Sequence, residues 1–259
     1  MMKPILSEDP WQQLKAFTAA RIALGRVGTS LPTREILNFG AAHALARDAV
    51  HRPLNVELML ESLTKIGFET QYVHSQASSR AQYLLRPDFG RRLNQNDAQN
   101  LKANAAAPID VLFVIGDGLS SIAVERHVMP LLNEVKRTAP NGWHMNTGIV
   151  ATQARVALGD EIGELLQAKI VVMLIGERPG LSAPDSLGVY LTYAPKVGSN
   201  DAQRNCISNV RPEGLSYTDA AHKLLWLIKK AMQIQATGVV LKDESVAQNL
   251  AHHAVNLIK

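Results

Sequence analysis

Glu177 and Cys206 are the two residues whose chemistry and setting first invite a functional reading. Glu177 lies in Gly176-Glu177-Arg178-Pro179-Gly180, directly after the apolar run Val171 to Ile175. In an open α/β sheet, ligands bind beyond the carboxyl ends of the strands. A carboxylate at that rim can accept hydrogen bonds from a ligand's amide or hydroxyl groups. An ion pair with Arg178 or another base is the alternative. Cys206, the chain's single cysteine, stands in Asn205-Cys206-Ile207-Ser208-Asn209. A catalytic thiol needs a nearby base and a lowered pKa. The nearest histidine in sequence is His222, without a cysteine-protease signature around it, so an inert, half-buried thiol is the simpler reading. Asp117-Gly118-Leu119-Ser120 follows another apolar run. Its backbone N–H groups can hold an anion at a helix start, or the segment is only a turn. It is neither a Gly-x-Gly-x-x-Gly fingerprint nor a Walker A loop. Val156 follows Arg155 ahead of a predicted helix. Read locally it is core, and a valine offers no acid–base chemistry.

Metal chemistry finds little footing. One cysteine excludes an intrachain disulfide and a Cys-cluster metal site. The histidines form no His-x-x-x-His or His-Glu-x-x-His arrangement, and the adjacent His252 and His253 fall near the C-terminus, where a frayed helix is expected. No metal ligand is therefore assigned.

Such groups require a packed scaffold, and the composition supplies one. Of 259 residues, 46% are hydrophobic and only 19% charged, which opposes extended disorder. The net charge of +4 comes from 27 basic and 23 acidic residues. The excess is dispersed, with no long run of like charge, so a nucleic-acid surface is not expected. Met1 to Gln13 lacks the apolar stretch of a signal peptide. No run approaches ~18 apolar residues, so no membrane-spanning helix is expected.

Periodicity predicts the elements. Helices are expected over residues 8–27, starting at Asp9-Pro10, over Thr33 to Ala49 and over Val56 to Ile66. Strands are predicted at Phe68 to Val73, Asp110 to Ile115, within Trp143 to Ala151, at Ile170 to Ile175 and at Leu187 to Tyr193. Between them, a helix is expected from the Arg86-Pro87-Asp88 turn to about Ala105. Another, capped by Ser120 or Ser121, reaches His127, and a third covers Gly159 to Ala168. Ser216-x-x-Asp219 opens a last helix, with Gly238 as its C-cap. Strands alternating with helices predict an α/β fold with a Rossmann-like, mainly parallel sheet and a helical N-terminal region. The expected organisation is a helical region over 1–66, a Rossmann-like domain over 67–238 and a C-terminal tail over 239–259.

The motifs add up to more than their parts. GERPGL, the Ser186-Leu187 pair, Tyr190-x-x-Tyr193-x-Pro195 and Arg204-x-Cys206-Ile207-Ser208-Asn209 resemble the small (light) subunit family of ethanolamine ammonia-lyase. So do the segment Leu84 to Leu93, Asp117-Gly118-Leu119-Ser120, and Arg155-Val156 ahead of Gly159-Asp160-Glu161-Ile162-Gly163-Glu164. The resemblance covers roughly residues 10–240. It implies a lyase subunit whose complex converts ethanolamine to acetaldehyde and ammonia by a radical route, with adenosylcobalamin as cofactor. It implies a large-subunit partner that carries the substrate pocket, so no catalytic residue is assigned here. Val156, Glu177 and Cys206 match cobalamin-contacting positions of the family, Cys206 by packing on a corrin edge. The cobalamin would keep its own dimethylbenzimidazole on cobalt, the base-on form. The expected location is the cytoplasm, with a bacterial microcompartment as the narrower alternative. A stand-alone nucleotide-using enzyme of Rossmann type and a purely structural assembly subunit are the competing readings.

Overall fold

The computed structural model describes residues 9–103 and 109–245; His252, His253 and most of the expected tail lie outside the described residues. Its centre is a six-stranded sheet. The strands are β1 (Glu69–His74), β2 (Ile109–Gly116), β3 (Thr147–Thr152), β4 (Ala168–Gly176), β5 (Leu187–Tyr193) and β6 (Asn205–Val210). Their order is β1-β3-β2-β4-β5-β6. The helices are α1 (Thr33–His51), α2 (Val56–Lys65), α3 (Arg80–Leu85), α4 (Gln95–Ala103), α5 (Ser121–Thr138), α6 (Val156–Leu165) and α7 (Tyr217–Ile234).

The expected α/β class holds, but the sheet is mixed rather than uniformly parallel. Strands β1, β3, β2 and β4 run parallel, whereas β5 and β6 are each antiparallel to the strand before them. Connection length explains the reversal. A parallel crossover needs about a dozen residues or more, usually a helix. The segments 177–186 and 194–204 are too short for one and turn the chain straight back.

The apolar runs of β2 and β4 are continuous because both faces are covered. Val111, Phe113 and Ile115 point into one core, with α2, α5 and α7 against them. Leu112 and Val114 point into the other, beneath α4 and α6. Phe68 and Phe113 meet edge to face with ring centroids 5.7 Å apart. Each such fully buried side chain contributes on the order of 1.5–3 kcal/mol.

Several expectations are corrected. In place of a helix over 8–27, a 3-10 helix covers Pro10–Phe17, and none of its residues is buried. Asp9 does cap it, accepting from the Trp11 N–H at 2.9 Å. With no core to pack on, that start does not propagate, and Ala23 and Gly25 then take left-handed backbone conformations. The expected helix from Arg86 is broken into a 3-10 turn, Phe89–Arg91, and the separate α4. Gly238 is not a C-cap: α7 ends at Gln235, itself left-handed, and Gly238 opens a 3-10 turn. Helix α3 and strand β6 carried too little apolar periodicity to be read beforehand. α1 forms as expected, but Ile36, Leu37 and Leu45 are 55%, 68% and 60% exposed.

His127, on α5, joins two helices and a loop. Its Nδ1 lies 2.8 Å from the Tyr217 hydroxyl of α7, and its Nε2 lies 3.7 Å from Asp185. Burial lowers its pKa from the ordinary imidazole value of 6.5, with Asp185 opposing. The unfolded chain therefore binds this proton at a higher pH than the folded one. Stability should fall as pH drops below about 6.5, with a slope approaching about 1.4 kcal/mol per pH unit until the lower folded value is passed. Urea unfolding between pH 5 and 7 checks this. His127→Gln should flatten the slope whatever it does to absolute stability, and an unchanged slope would assign the effect elsewhere.

Candidate functional site

Three loops leave the carboxyl edge of the parallel strands, and Asp117 ties the first to the second. At the end of β2, its Oδ2 accepts from the Gln153 N–H and its Oδ1 from the Ala154 N–H, each at 2.9 Å. Arg80 approaches Oδ2 at 3.4 Å. The side chain is 3% exposed, and its oxygens are engaged by the protein itself. Asp117-Gly118-Leu119-Ser120 is thus a clamp.

The same loop holds the third. Leu119 N–H donates to the Gly176 carbonyl at 2.9 Å, and the Ser120 hydroxyl donates to the Pro184 carbonyl at 2.9 Å. Gly118 has φ +58°, and an added Cβ there would collide with the Gly176 carbonyl, so this approach requires glycine. From α5, Arg126 pairs with Asp185 at 2.7 Å. The segment bearing Glu177 is therefore fixed at both ends.

Glu177 is half-buried. Its Oε2 accepts from the Ser186 hydroxyl and, at 3.3 Å, from the Asn209 N–H. Among the described residues it makes no ion pair with Arg178 or any other base, and Oε1 accepts no hydrogen bond. Gly188 keeps room beside it: an added Cβ would meet Glu177 Oε1 and Tyr190 Cε2, each at 3.1 Å. Tyr190 stands opposite Cys206 in the β5–β6 pairing and is hydrogen-bonded to its thiol. Cys206 is exposed as a residue because β6 is an edge strand. Partial burial nevertheless pushes its thiol pKa above the usual 9.0, with Tyr190 opposing and Glu177 reinforcing the shift. The thiol is protonated at neutral pH, the reverse of an activated nucleophile. Tyr190 is raised too, by burial and then by Cys206 and Glu177.

Tyr190 also lines a groove of about 680 Å³. Its walls are the first turn of α6 with Arg155 and Val156, the segment 87–92, and the loop 197–204. That loop is locked to α6 by a buried pair: Arg204, its side chain 3% exposed, bonds to Asp160 of α6 as well as to the Ser199 carbonyl at 2.7 Å and Asp201 at 2.8 Å. Val156 is thus in the groove wall, and Glu177 and Cys206 gather at Tyr190. Sequence reasoning missed Tyr190, Arg204 and Asp160 as parts of the site. The period-two pattern Gly188, Tyr190, Thr192 on β5 held the available signal. No group of three or more His, Cys, Asp or Glu side chains suited to a metal occurs among the described residues.

Comparison with known proteins converges on one family. Residues 8–242 match the family model described as ethanolamine ammonia-lyase light chain (EutC). The chain is 55% identical over 246 residues to the ethanolamine ammonia-lyase small subunit of Pseudomonas syringae pv. tomato, covering 93% of this chain and 86% of that one. It is 52% identical over 252 residues to the protein of the same description from Pseudomonas aeruginosa UCBPP-PA14, covering 96% and 92%. For that of Pseudomonas fluorescens SBW25 the identity is 51% over 258 residues, covering 98% and 93%. With two independent comparisons agreeing across nearly its whole length, the chain belongs to the ethanolamine ammonia-lyase small-subunit (light-chain) family.

Proposed function

We propose that this chain forms one wall of an adenosylcobalamin site, closed by the large subunit, in a complex that converts ethanolamine to acetaldehyde and ammonia. The observation that carries the reading is that Val156 and Tyr190 line one open groove while Cys206 and Glu177 meet Tyr190. The donor set suits a corrinoid. The ring is broad and apolar at its faces, and Val156 and the Tyr190 ring offer matching surface. Its edge carries carboxamide arms that donate hydrogen bonds, and Glu177 Oε1 is an uncommitted acceptor. The gap kept by Gly188 leaves that acceptor reachable.

When bound, the cofactor supplies the radical chemistry, and the protein supplies binding and orientation. This chain's residues do the latter. Glu177 holds an amide donor, Val156 and Tyr190 exclude water from an apolar face, and Cys206 packs as a neutral thiol. No side chain in the groove is set up as an acid or base, and the substrate pocket is assigned to the large subunit. The reaction belongs to the assembled complex: the chain alone should show no turnover, and activity should require both the large subunit and adenosylcobalamin. Turnover of ethanolamine by the purified chain alone would overturn the assignment.

An exposed apolar face supports the partner. Phe17 is 86% exposed, and Leu37 and Leu45 on α1 are more than half exposed. Several large apolar side chains left exposed on one helix suit an interaction surface. Leu37→Glu combined with Leu45→Glu should leave the fold intact, because neither side chain is in the core, and should weaken assembly at least about tenfold. Co-elution with the large subunit on size exclusion reads the result; an undiminished complex would place the interface elsewhere.

Glu177 gives a sharper check. Glu177→Gln keeps the size but replaces one acceptor oxygen by a donor. Corrinoid binding to the complex should weaken by about 1–3 kcal/mol, the cost of a polar partner left unmatched. The visible absorption of the corrinoid on titration measures it. An unchanged dissociation constant would reduce Glu177 to a brace for Ser186 and Asn209.

A further inference from the structure

The groove carries positive charge that the protein does not neutralise. Four arginines line it: Arg91, Arg92, Arg155 and Arg204. Arg92 pairs with Glu161 at 2.9 Å, and Arg204 with Asp160 and Asp201. Asp88, also in the wall, is taken by Arg86 at 2.7 Å. Among the described residues, Arg91 and Arg155 have no carboxylate within ion-pair reach.

Two further features point the same way. Arg155 is the N-cap of α6, and no side chain caps that helix; its first turn carries no acidic residue. The N–H groups there and the helix dipole favour an anion. Independently, two guanidinium donors of groove residues are buried without a hydrogen-bond partner among the described residues. One is Nε of Arg155, whose guanidinium lies 4.2 Å from the Tyr83 ring centroid. The other is Nε of Arg204, a side chain more than nine-tenths buried in the groove wall against α6. Leaving such donors unmatched is costly, so a ligand that accepts hydrogen bonds there is favoured.

We propose that the α6 end of the groove is a phosphate-ester site, with Arg91 and Arg155 as its cations. Its ligand is the phosphodiester that joins the corrin to the nucleotide tail of a base-on corrinoid. The inference rests on the corrinoid reading above and deepens it. The two ends of the site are chemically opposite. At the Tyr190 end, Glu177 repels anions and accepts from amides. At the α6 end, arginines attract an anion. A free phosphate satisfies only one end, whereas a corrinoid with its tail presents amides to one and a phosphate to the other. Arg92 and Arg204 act as positioning residues that hold the walls through Glu161 and Asp160.

Cobinamide and cobinamide phosphate test this, because they share the ring and differ by the phosphate. Each is titrated into the complex with the large subunit and followed by absorbance. Cobinamide phosphate should bind at least tenfold more tightly, with the advantage shrinking as salt rises. Arg91→Ala, at an exposed position, should cut that advantage severalfold while leaving cobinamide affinity unchanged. Arg155→Ala should do the same, and Arg155→Lys should restore part of it. Equal affinity of the two corrinoids in the wild-type complex, or an advantage untouched by both alanine variants, overturns the proposal while leaving the ring site standing. Failure of adenosylcobalamin itself to bind the complex refutes the corrinoid reading and this inference with it. AMP and inorganic phosphate supply the anion without a ring. Tighter binding of either than of cobinamide phosphate, lost in Arg91→Ala, would make this a site for free phosphates and overturn the corrinoid tail as its ligand.

Discussion

A single buried carboxylate holds the functional edge of the sheet together. Asp117 accepts the N–H groups of Gln153 and Ala154 and faces Arg80. Those N–H groups stand where the chain leaves β3 and turns toward α6, so the carboxylate fixes the direction in which α6 departs. Through Leu119 and Ser120 the same loop grips Gly176 and Pro184. Val156 on one side and Glu177 on the other are thus positioned from one point. Burying a charge is tolerable only when its lone pairs are filled, and here backbone donors fill them. An acidic residue at a strand end looks like a ligand-binding group from sequence. Its oxygens are instead committed to holding two loops in register.

The groove follows from a second constraint, the length of the last two connections. Helix α6 packs mainly over β4 on that face of the sheet and meets β5 through Asp160 and Thr192. A crossover helix after β4 would have covered the next strand. The short segment 177–186 reverses the chain instead, so β5 and β6 present Tyr190 and Cys206 on a face that no helix covers among the described residues. Helix α7 seals the opposite face with Leu224 and Ile228. The mixed sheet and the open site therefore have the same cause.

That cause is legible in the sequence, since the spacing between Ile175 and Leu187 is too short for a crossover, yet alternation of strands and helices suggests a Rossmann-like, mainly parallel sheet. Strands β2 and β4 announce themselves by unbroken apolar runs, because burial on both faces removes ambiguity. Strand β6 does not: only Ile207 and Val210 face the core, and its other residues are polar. Helix α1 is readable from its apolar periodicity, but the exposure of Ile36, Leu37 and Leu45 is a property of what surrounds the helix, which periodicity does not report. Within the site, local pattern suggested Glu177 as an acceptor and left its alternative open; the tertiary structure shows Ser186 and Asn209 in place of an ion pair. Arg204 and Asp160 are 44 residues apart in the chain, and nothing local in either segment reports their contact.

An incomplete site accounts for the rest of the molecule's character. A groove with one uncovered side cannot by itself keep water from a reactive cofactor. In the proposed corrinoid site, the acceptor at Glu177, the apolar surface at Val156 and Tyr190 and the cations at Arg91 and Arg155 would bind and orient, and none is placed to move a proton. Cys206, the most reactive side-chain type present, is held back from the thiolate by burial and by the negative charge of Glu177. The exposed apolar residues of α1 and of the 3-10 helix before it would, in the same proposal, be half an interface. An open groove and an open apolar arm fit a chain that gains its second surface from another protein, which is what membership of a small-subunit family implies.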